Sequence, residues 1–238
     1  MTQDEYLSRV FSVYDVVKIL SKKEDRRVLR IRHKEFKKDL VLRCYNKPAE
    51  AYQRLKGLVN KNIPTVFEAL IFEDGQVVLE EFIDGLTAAE VLEQNNYTLR
   101  GAKIVLKGVC NALLTLRDLN IVHRDIKPEN IMIDKSGNPK LIDFDASRIY
   151  NSNSSADTTV LGTIGYAPPE QYGISQSDEK SDIYALGVLL NVMLTGVHPS
   201  KTLANGRAGR IVLKCTQIDP DSRYKTIEEL MRNLMLPF

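Results

Sequence analysis

A chain of 238 residues is long enough to bury a substantial core, as one large domain or as two small lobes. Hydrophobic residues make up 43% and charged residues 27%, with 33 basic against 31 acidic side chains and a net charge of +2. That balance excludes disorder and a nucleic-acid surface spread over the whole domain, and it names no partner.

The opening MTQDEYLSRVFSVYDVV carries acidic residues early and no uninterrupted apolar core, so it does not read as a signal peptide. From residue 16 to about 44, β-branched and long apolar residues alternate with charges in VVKIL, RVLRIRH and LVLRCY, separated by the polar tips SKKEDR and KEFKKD. This predicts three strands joined by hairpins. PAEAYQRLKGLV, opened by Pro48 and closed near Asn60, predicts a helix, and TVFEALIFE and QVVLEEF predict two more strands about the turn residues Asp74 and Gly75.

After Gly85 the pattern turns helical. TAAE at residues 87–90 is a capping box, and Ile104, Val105, Val109, Ala112, Leu113 and Leu116 repeat with helical spacing. Short strands in NIMID and PKLID flank the turn KSGN. IYALGVLLNVMLTGV, fifteen residues with Asn191 inside, is short for a membrane span and reads as a buried helix; TIEEL from Thr226 opens another capped one. There is no internal repeat, and the low-complexity patch is YNSNSSADTT at 150–159. Cys44, Cys110 and Cys215 stand far apart without CxxC or Cys/His spacing, against a disulfide scaffold or a zinc site and for a reducing, cytoplasmic compartment.

The stretch IVHRDIKPENIMI places His123, Arg124, Asp125, Lys127, Glu129 and Asn130 between two apolar ends. Asp125 and Asn130 are five positions apart, and Asp143 follows thirteen later at the end of a strand-like run. Phosphoryl transfer from a nucleotide needs such groups: a carboxylate to orient and deprotonate the attacking hydroxyl, and hard oxygen ligands for magnesium.

HRDIKPEN, DFD and GTIGYAPPE, in that order, resemble the catalytic loop, metal-binding motif and activation-segment end of the protein kinase family, and Lys127 resembles its serine/threonine branch as found in bacterial kinases of eukaryotic type. SDIYALGVLL looks like the family's central helix, whose aspartate, here Asp182, bonds the catalytic-loop backbone. DPDSRY looks like the segment whose arginine, here Arg223, pairs with the glutamate of APPE, here Glu170. VLEEFIDG resembles the hinge on which adenine docks.

The resemblance covers essentially the whole chain and implies an α+β, two-lobed kinase fold in a single domain, 1–238. Its N-lobe, about 1–81, would be an antiparallel five-stranded sheet with one main helix. The hinge would fall at about 82–85, with a mostly helical C-lobe over about 86–238. It implies ATP and Mg²⁺ as cofactors, with Mn²⁺ as a substitute, Asp125 as base, Lys127 on the transferring phosphate, and Asn130 and Asp143 on the metal. Val28, Val41, Arg43, Glu80, Glu81 and Ile83 would line the nucleotide site.

Four features depart from the family pattern. Aligning Val28 with the valine of GxGxxGxV puts Ser21, Lys23 and Arg26 where three glycines belong, and no glycine occurs before Gly57. Either the cations of SKKEDRR grip phosphates by charge, or the segment is a solvated hairpin tip. LVLR stands where VAIK would, which puts Arg43 in place of the phosphate-contacting lysine. The helix partner of that cation would be Glu50, although counting back from NIP puts Ala51 in register. Glu80 falls at the back of the adenine pocket, where it either pairs with Arg43 or turns to solvent. DFD replaces DFG, so Asp145 stands for a glycine; this predicts a segment biased to one state, with Asp145 either a metal ligand or a hydrogen-bonding residue.

Arg124 suggests phosphorylation of the activation segment at Ser152, Ser154, Ser155, Thr158 or Thr159, against a plain polar loop. Thr163 is expected to bond Asp125 and Lys127. His123 is expected to pack as a structural residue, and His33 and His198 to sit on the surface. The reading is a serine/threonine protein kinase acting on a protein hydroxyl, with no nucleic-acid partner and no membrane segment. The alternatives are a pseudokinase acting as a nucleotide-binding or scaffolding module and, on the same fold, a small-molecule kinase.

Overall fold

In a computed structural model the described residues are 1–150, 165–172 and 177–236. They form two compact units, Met1–Asp84 and Gly85–Phe238, each described in turn.

The first unit is built on a five-stranded antiparallel sheet of β1 (Tyr14–Lys22), β2 (Arg26–His33), β3 (Asp39–Tyr45), β4 (Val66–Phe72) and β5 (Gly75–Glu81), in the order β1-β2-β3-β5-β4. Alternation along the strands sorts the side chains into two faces. Leu29, Ile31, Leu42, Cys44, Val77 and Leu79 form one face, and Leu7 and Val10 of helix α1 (Gln3–Val13) pack on it. Burying each such side chain contributes about 1.5–3 kcal/mol. Helix α1 is an element beyond the single helix expected for this lobe. It starts at a capping box in which Thr2 and Glu5 satisfy each other's backbone amides. It is tied to the sheet by Tyr6, whose hydroxyl bonds Glu68, and by Gln3, whose side chain donates to the carbonyl of Gln76. The β4–β5 turn needs a glycine, because a Cβ on Gly75 would lie 2.1 Å from the carbonyl oxygen of Tyr45.

The other face carries Arg43, Tyr45, Val78 and Glu80, and Tyr52 of α2 (Ala51–Leu55) packs there against Tyr45 in a tilted ring pair. The sequence pattern predicts a helix reaching Asn60, but α2 is five residues long. Gly57 at φ +76° takes the chain out of the helix, and Lys56 forms a parallel bridge to Val66 instead.

The second unit runs β6 (Gly85–Thr87), α3 (Ala88–Gln94), α4 (Leu99–Asp118), β7 (Ile121–Val122), β8 (Ile131–Asp134), β9 (Pro139–Leu141), β10 (Arg148–Ile149), α5 (Glu179–Thr195), α6 (Gly206–Cys215) and α7 (Ile227–Met235). Strands β6, β8 and β9 form one small sheet, and β7 and β10 another. Helices α3 and α7 open at Thr87 and Thr226, as their capping signatures predict. Helix α5 is the centre of the unit: eleven of its seventeen residues are buried, which is why its sequence is apolar all round. Asn191 belongs in that apolar helix because its amide donates to the carbonyls of Val197 and Thr202 and accepts from the amide of Ala204, stapling the chain that leaves the helix. No helix among the described residues is long and apolar enough to cross a membrane.

Candidate active site

In the second unit, β7 delivers the chain into the turn that carries His123, Arg124, Asp125 and Lys127, and the single 3-10 turn Pro128–Asn130 leads it out into β8. Asp182, near the start of α5, is buried, and its two carboxylate oxygens accept the backbone amides of His123 at 3.0 Å and Arg124 at 2.9 Å. Arg124 is held in the left-handed region at φ 70°, with its carbonyl accepting the side-chain amide of buried Gln171 at 2.8 Å. Such a φ costs a non-glycine residue free energy, and these bonds hold it there. Burial drives the Asp182 carboxyl up to about 7 against the opposing pull of the two amides.

His123 is fully buried. Its Nε2–H donates to the carbonyl of Ile142 at 3.3 Å, its Nδ1 accepts from the amide of Asp125, and its ring meets Phe144 edge-on at 5.4 Å. Desolvation holds its pKa below the ordinary value, so the ring stays neutral and works as a packing and hydrogen-bonding piece.

The Asp125 carboxylate is gripped from two sides. Lys127 Nζ lies 2.8 Å from Oδ2, and Asn130 Nδ2 donates to both Oδ2 and the Asp125 carbonyl at 2.8 Å. All three side chains are at least partly buried, so the contacts are better shielded than a surface pair. Ile142 donates its amide to the carbonyl of Asn130, which registers the strand leading to Asp143 against the turn carrying Asn130. Asp143 follows at φ 65°, another left-handed non-glycine residue, and Asp145 is half-buried two positions on. Because Asn130 spends its amide hydrogens on Asp125, its Oδ1 is the atom left to meet a cation. Among the described residues no group of three His, Cys, Asp or Glu could hold a metal.

Farther along, Glu170 and Arg223 form a buried two-pronged pair, joined by Ser181, whose hydroxyl donates to Glu170. Thr163 and the candidate phosphosites Ser152, Ser154, Ser155, Thr158 and Thr159 lie outside the described residues. His198, expected at the surface, has partners there: its ring nitrogens bond the Gly165 carbonyl at 2.9 Å and the Ser200 hydroxyl at 2.7 Å. His33 likewise has partners, since its Nδ1 accepts the amides of Glu35 and Phe36. The contacts of Gln171 and His198 had no motif to announce them.

In the first unit, Arg43 stands opposite Val28 on β2 and opposite Val78 on β5, while Glu80 stands opposite Val41. Arg43 and Glu80 are therefore diagonal neighbours on one face, a separation long side chains span. Arg43 Nε meets Glu80 Oε1 at 2.7 Å, with the two side chains 7% and 3% exposed, so Glu80 does not turn to solvent. Glu50 is exposed and makes no ion pair among the described residues, whereas Ala51 faces the interior. The Glu81 carboxylate accepts the amide of Thr65 at 3.0 Å, and Val28, Val41 and Ile83 are buried. The β1–β2 connection is a tight hairpin closed by the Lys23 amide on the Arg26 carbonyl, with Lys22, Lys23 and Arg27 exposed. The Cys44 thiol is pushed up by burial, with Arg27 opposing, so it is an inert strand residue.

A family model described as the protein kinase domain matches residues 13–235. The chain belongs to the protein kinase family. This kinase domain is of the bacterial, eukaryotic-like serine/threonine type, and its two units have the architecture of the N-lobe and C-lobe of that fold. It is 31% identical to the serine/threonine-protein kinase PrkC of Bacillus subtilis over 211 residues, 78% of this chain and 33% of the relative. It is 27% identical to the probable serine/threonine-protein kinase PknB of Lactococcus lactis over 226 residues, 82% of this chain and 35% of the relative. A stretch of 100 residues is 41% identical to the lectin-domain containing receptor kinase VI.3 of Arabidopsis thaliana, 40% of this chain and 14% of that protein. The kinase domain thus spans about a third of the length of the bacterial relatives.

Proposed function

We propose that this kinase domain transfers the γ-phosphate of ATP to a serine or threonine hydroxyl of a protein, the two units acting as one domain with its hinge at 82–85. The observation that carries the reading is the Asp125 carboxylate held within 2.8 Å of both Lys127 and Asn130, on a turn whose backbone is bonded by Asp182. A carboxylate so fixed orients the attacking hydroxyl and takes its proton as the new oxygen–phosphorus bond forms and the bond to the β-phosphate oxygen breaks, releasing ADP. Lys127 adds positive charge where the transferring phosphoryl group carries negative charge.

Asn130 and Asp143 would hold magnesium: an amide oxygen and a carboxylate are hard donors, and two protein ligands suffice when phosphates and water complete the shell. Magnesium, when bound, supplies charge neutralisation at the phosphate oxygens. Val28, Val41, Glu81 and Ile83 would line the adenine site and Arg43 would reach the α/β-phosphates. Three free, buried thiols support a reducing, cytoplasmic setting.

One observation favours a nucleotide-holding scaffold instead: the hairpin that should cover the phosphates is tight, and side chains stand at all three glycine positions. Phosphate incorporation from labelled ATP into the protein itself and into a generic basic protein separates the two. We expect incorporation that falls by about 10²–10⁴-fold in both Asp125→Asn and Asp143→Asn. Stabilisation by MgATP without any incorporation would select the scaffold.

A further inference from the structure

The cation of the first unit is anchored from an unusual direction. A kinase of the usual pattern holds its strand lysine with a carboxylate on the following helix. Here that helix, α2, turns Ala51, Tyr52 and Leu55 inward and leaves Glu50 exposed. It has only five residues, and Gly57 ends it. The carboxylate that meets Arg43 comes from the sheet itself, Glu80 of β5, at 2.7 Å.

We propose that Glu80 is the positioning residue for Arg43, replacing a helix carboxylate as the anchor of the phosphate-facing cation, so that movement of α2 has no part in switching the site. This rests on the kinase reading above.

Three physical points carry it. Arginine cannot shed its charge, so a guanidinium 6% exposed needs an anion nearby, and Glu80 is that anion. The pair is diagonal across β3 and β5, strands hydrogen-bonded over six successive residue pairs, so its geometry is set by sheet register and is present whenever the sheet is folded. Helix α2 contributes an aromatic ring in place of a charge: the guanidinium lies 5.7 Å from the centroid of Tyr52. The Glu80 bond engages Nε, the inner of the three guanidinium nitrogens. The helix is in turn fastened to the sheet by Gln53, which donates to the carbonyl of Ala69, and by the Ala49 amide on Gln76.

The test is steady-state phosphorylation by the full chain with MgATP varied at fixed protein substrate, comparing Glu80→Gln, Glu80→Asp, Gln53→Ala and Glu50→Gln. We expect Glu80→Gln to raise KM for ATP tenfold or more while KM for the protein substrate stays put. Glu80→Asp keeps the charge but shortens the reach; it should fold even if Glu80→Gln does not, and should raise KM for ATP about fivefold. Gln53→Ala, which loosens α2, should leave KM for ATP within twofold. Where nucleotide binds without transfer, MgATP dissociation constants replace KM in the same comparison. Wild-type KM for ATP in the Glu80 variants, or a tenfold rise in Glu50→Gln alone, overturns the proposal and leaves the kinase reading standing. A wild-type protein that neither incorporates phosphate nor is stabilised by MgATP overturns the kinase reading, and the role of Glu80 with it.

Discussion

Arg223 meets Glu170 through two parallel hydrogen bonds, Nη1 to Oε1 at 2.6 Å and Nη2 to Oε2 at 3.0 Å, with the arginine side chain wholly buried. Its remaining donors go to the backbone carbonyls of Gln217, Lys180 and Ile218, and its plane faces Tyr184 at 5.0 Å. One guanidinium thus joins the segment before α5, the start of α5 and the turn before α7. Arg223→Met strands the Glu170 carboxylate away from water and should cost about 3–5 kcal/mol in urea unfolding. Arg223→Lys should fail to restore it, because an ammonium lacks the fork. A loss below 1 kcal/mol for Arg223→Met would show that the pair is dispensable.

Asp182 makes stability depend on pH in an unusual direction. Its carboxyl titrates at about 7 in the folded protein, above the ~3.9 of an exposed aspartate, so across that window the unfolded chain has released a proton that the folded one keeps. Its contribution is therefore full at the acid end and shrinks as pH rises towards 7, by up to about 1.4 kcal/mol per pH unit. Buried His123, with its depressed pKa, acts oppositely, losing stability as pH falls below the ordinary histidine range. The stability of wild type minus that of Asp182→Asn should fall between pH 4 and pH 7; a difference constant with pH would refute the assignment.

Gly187 lets α5 and α6 approach closely. A Cβ there would lie 2.3 Å from the Cβ of Cys215, so Gly187→Ala should destabilise by about 1–3 kcal/mol. Because the collision is with Cβ and not with sulfur, adding Cys215→Ala should not relieve it, and thermal unfolding of the single and double variants decides the matter.

Leu7 is 6% exposed in the cluster that α1 shares with β2, β3 and β5. Leu7→Ala should cost about 2–5 kcal/mol by guanidinium unfolding. A loss under 0.5 kcal/mol would mean that α1 is not part of the folded core.

The strands of the first unit were legible because each alternates, and alternation also places Arg43 and Glu80 on one face of the sheet. What alternation could not decide was whether Glu80 turns outward, since that depends on how Tyr52 and the neighbouring strands close over it. TQDE at residues 2–5 has the same capping grammar that marks Thr87 and Thr226, and it opens α1. The apolar spacing of α2 continues past Gly57 and so predicts a longer helix, while the backbone there turns left-handed. In the second unit, HRDIKPEN announced the acid, the lysine and the asparagine together. The partners of Gln171 and His198 come from loops distant in sequence, and no local pattern encodes such contacts.

The match to the family begins at residue 13, yet α1 lies almost entirely before it. A fragment trimmed to the homologous boundary would strip the cover from Leu29, Ile31, Leu42, Val77 and Leu79 and present a bare greasy sheet to solvent. The first dozen residues are what keeps that apolar face covered, and a product trimmed to residue 13 should be sticky and prone to aggregate.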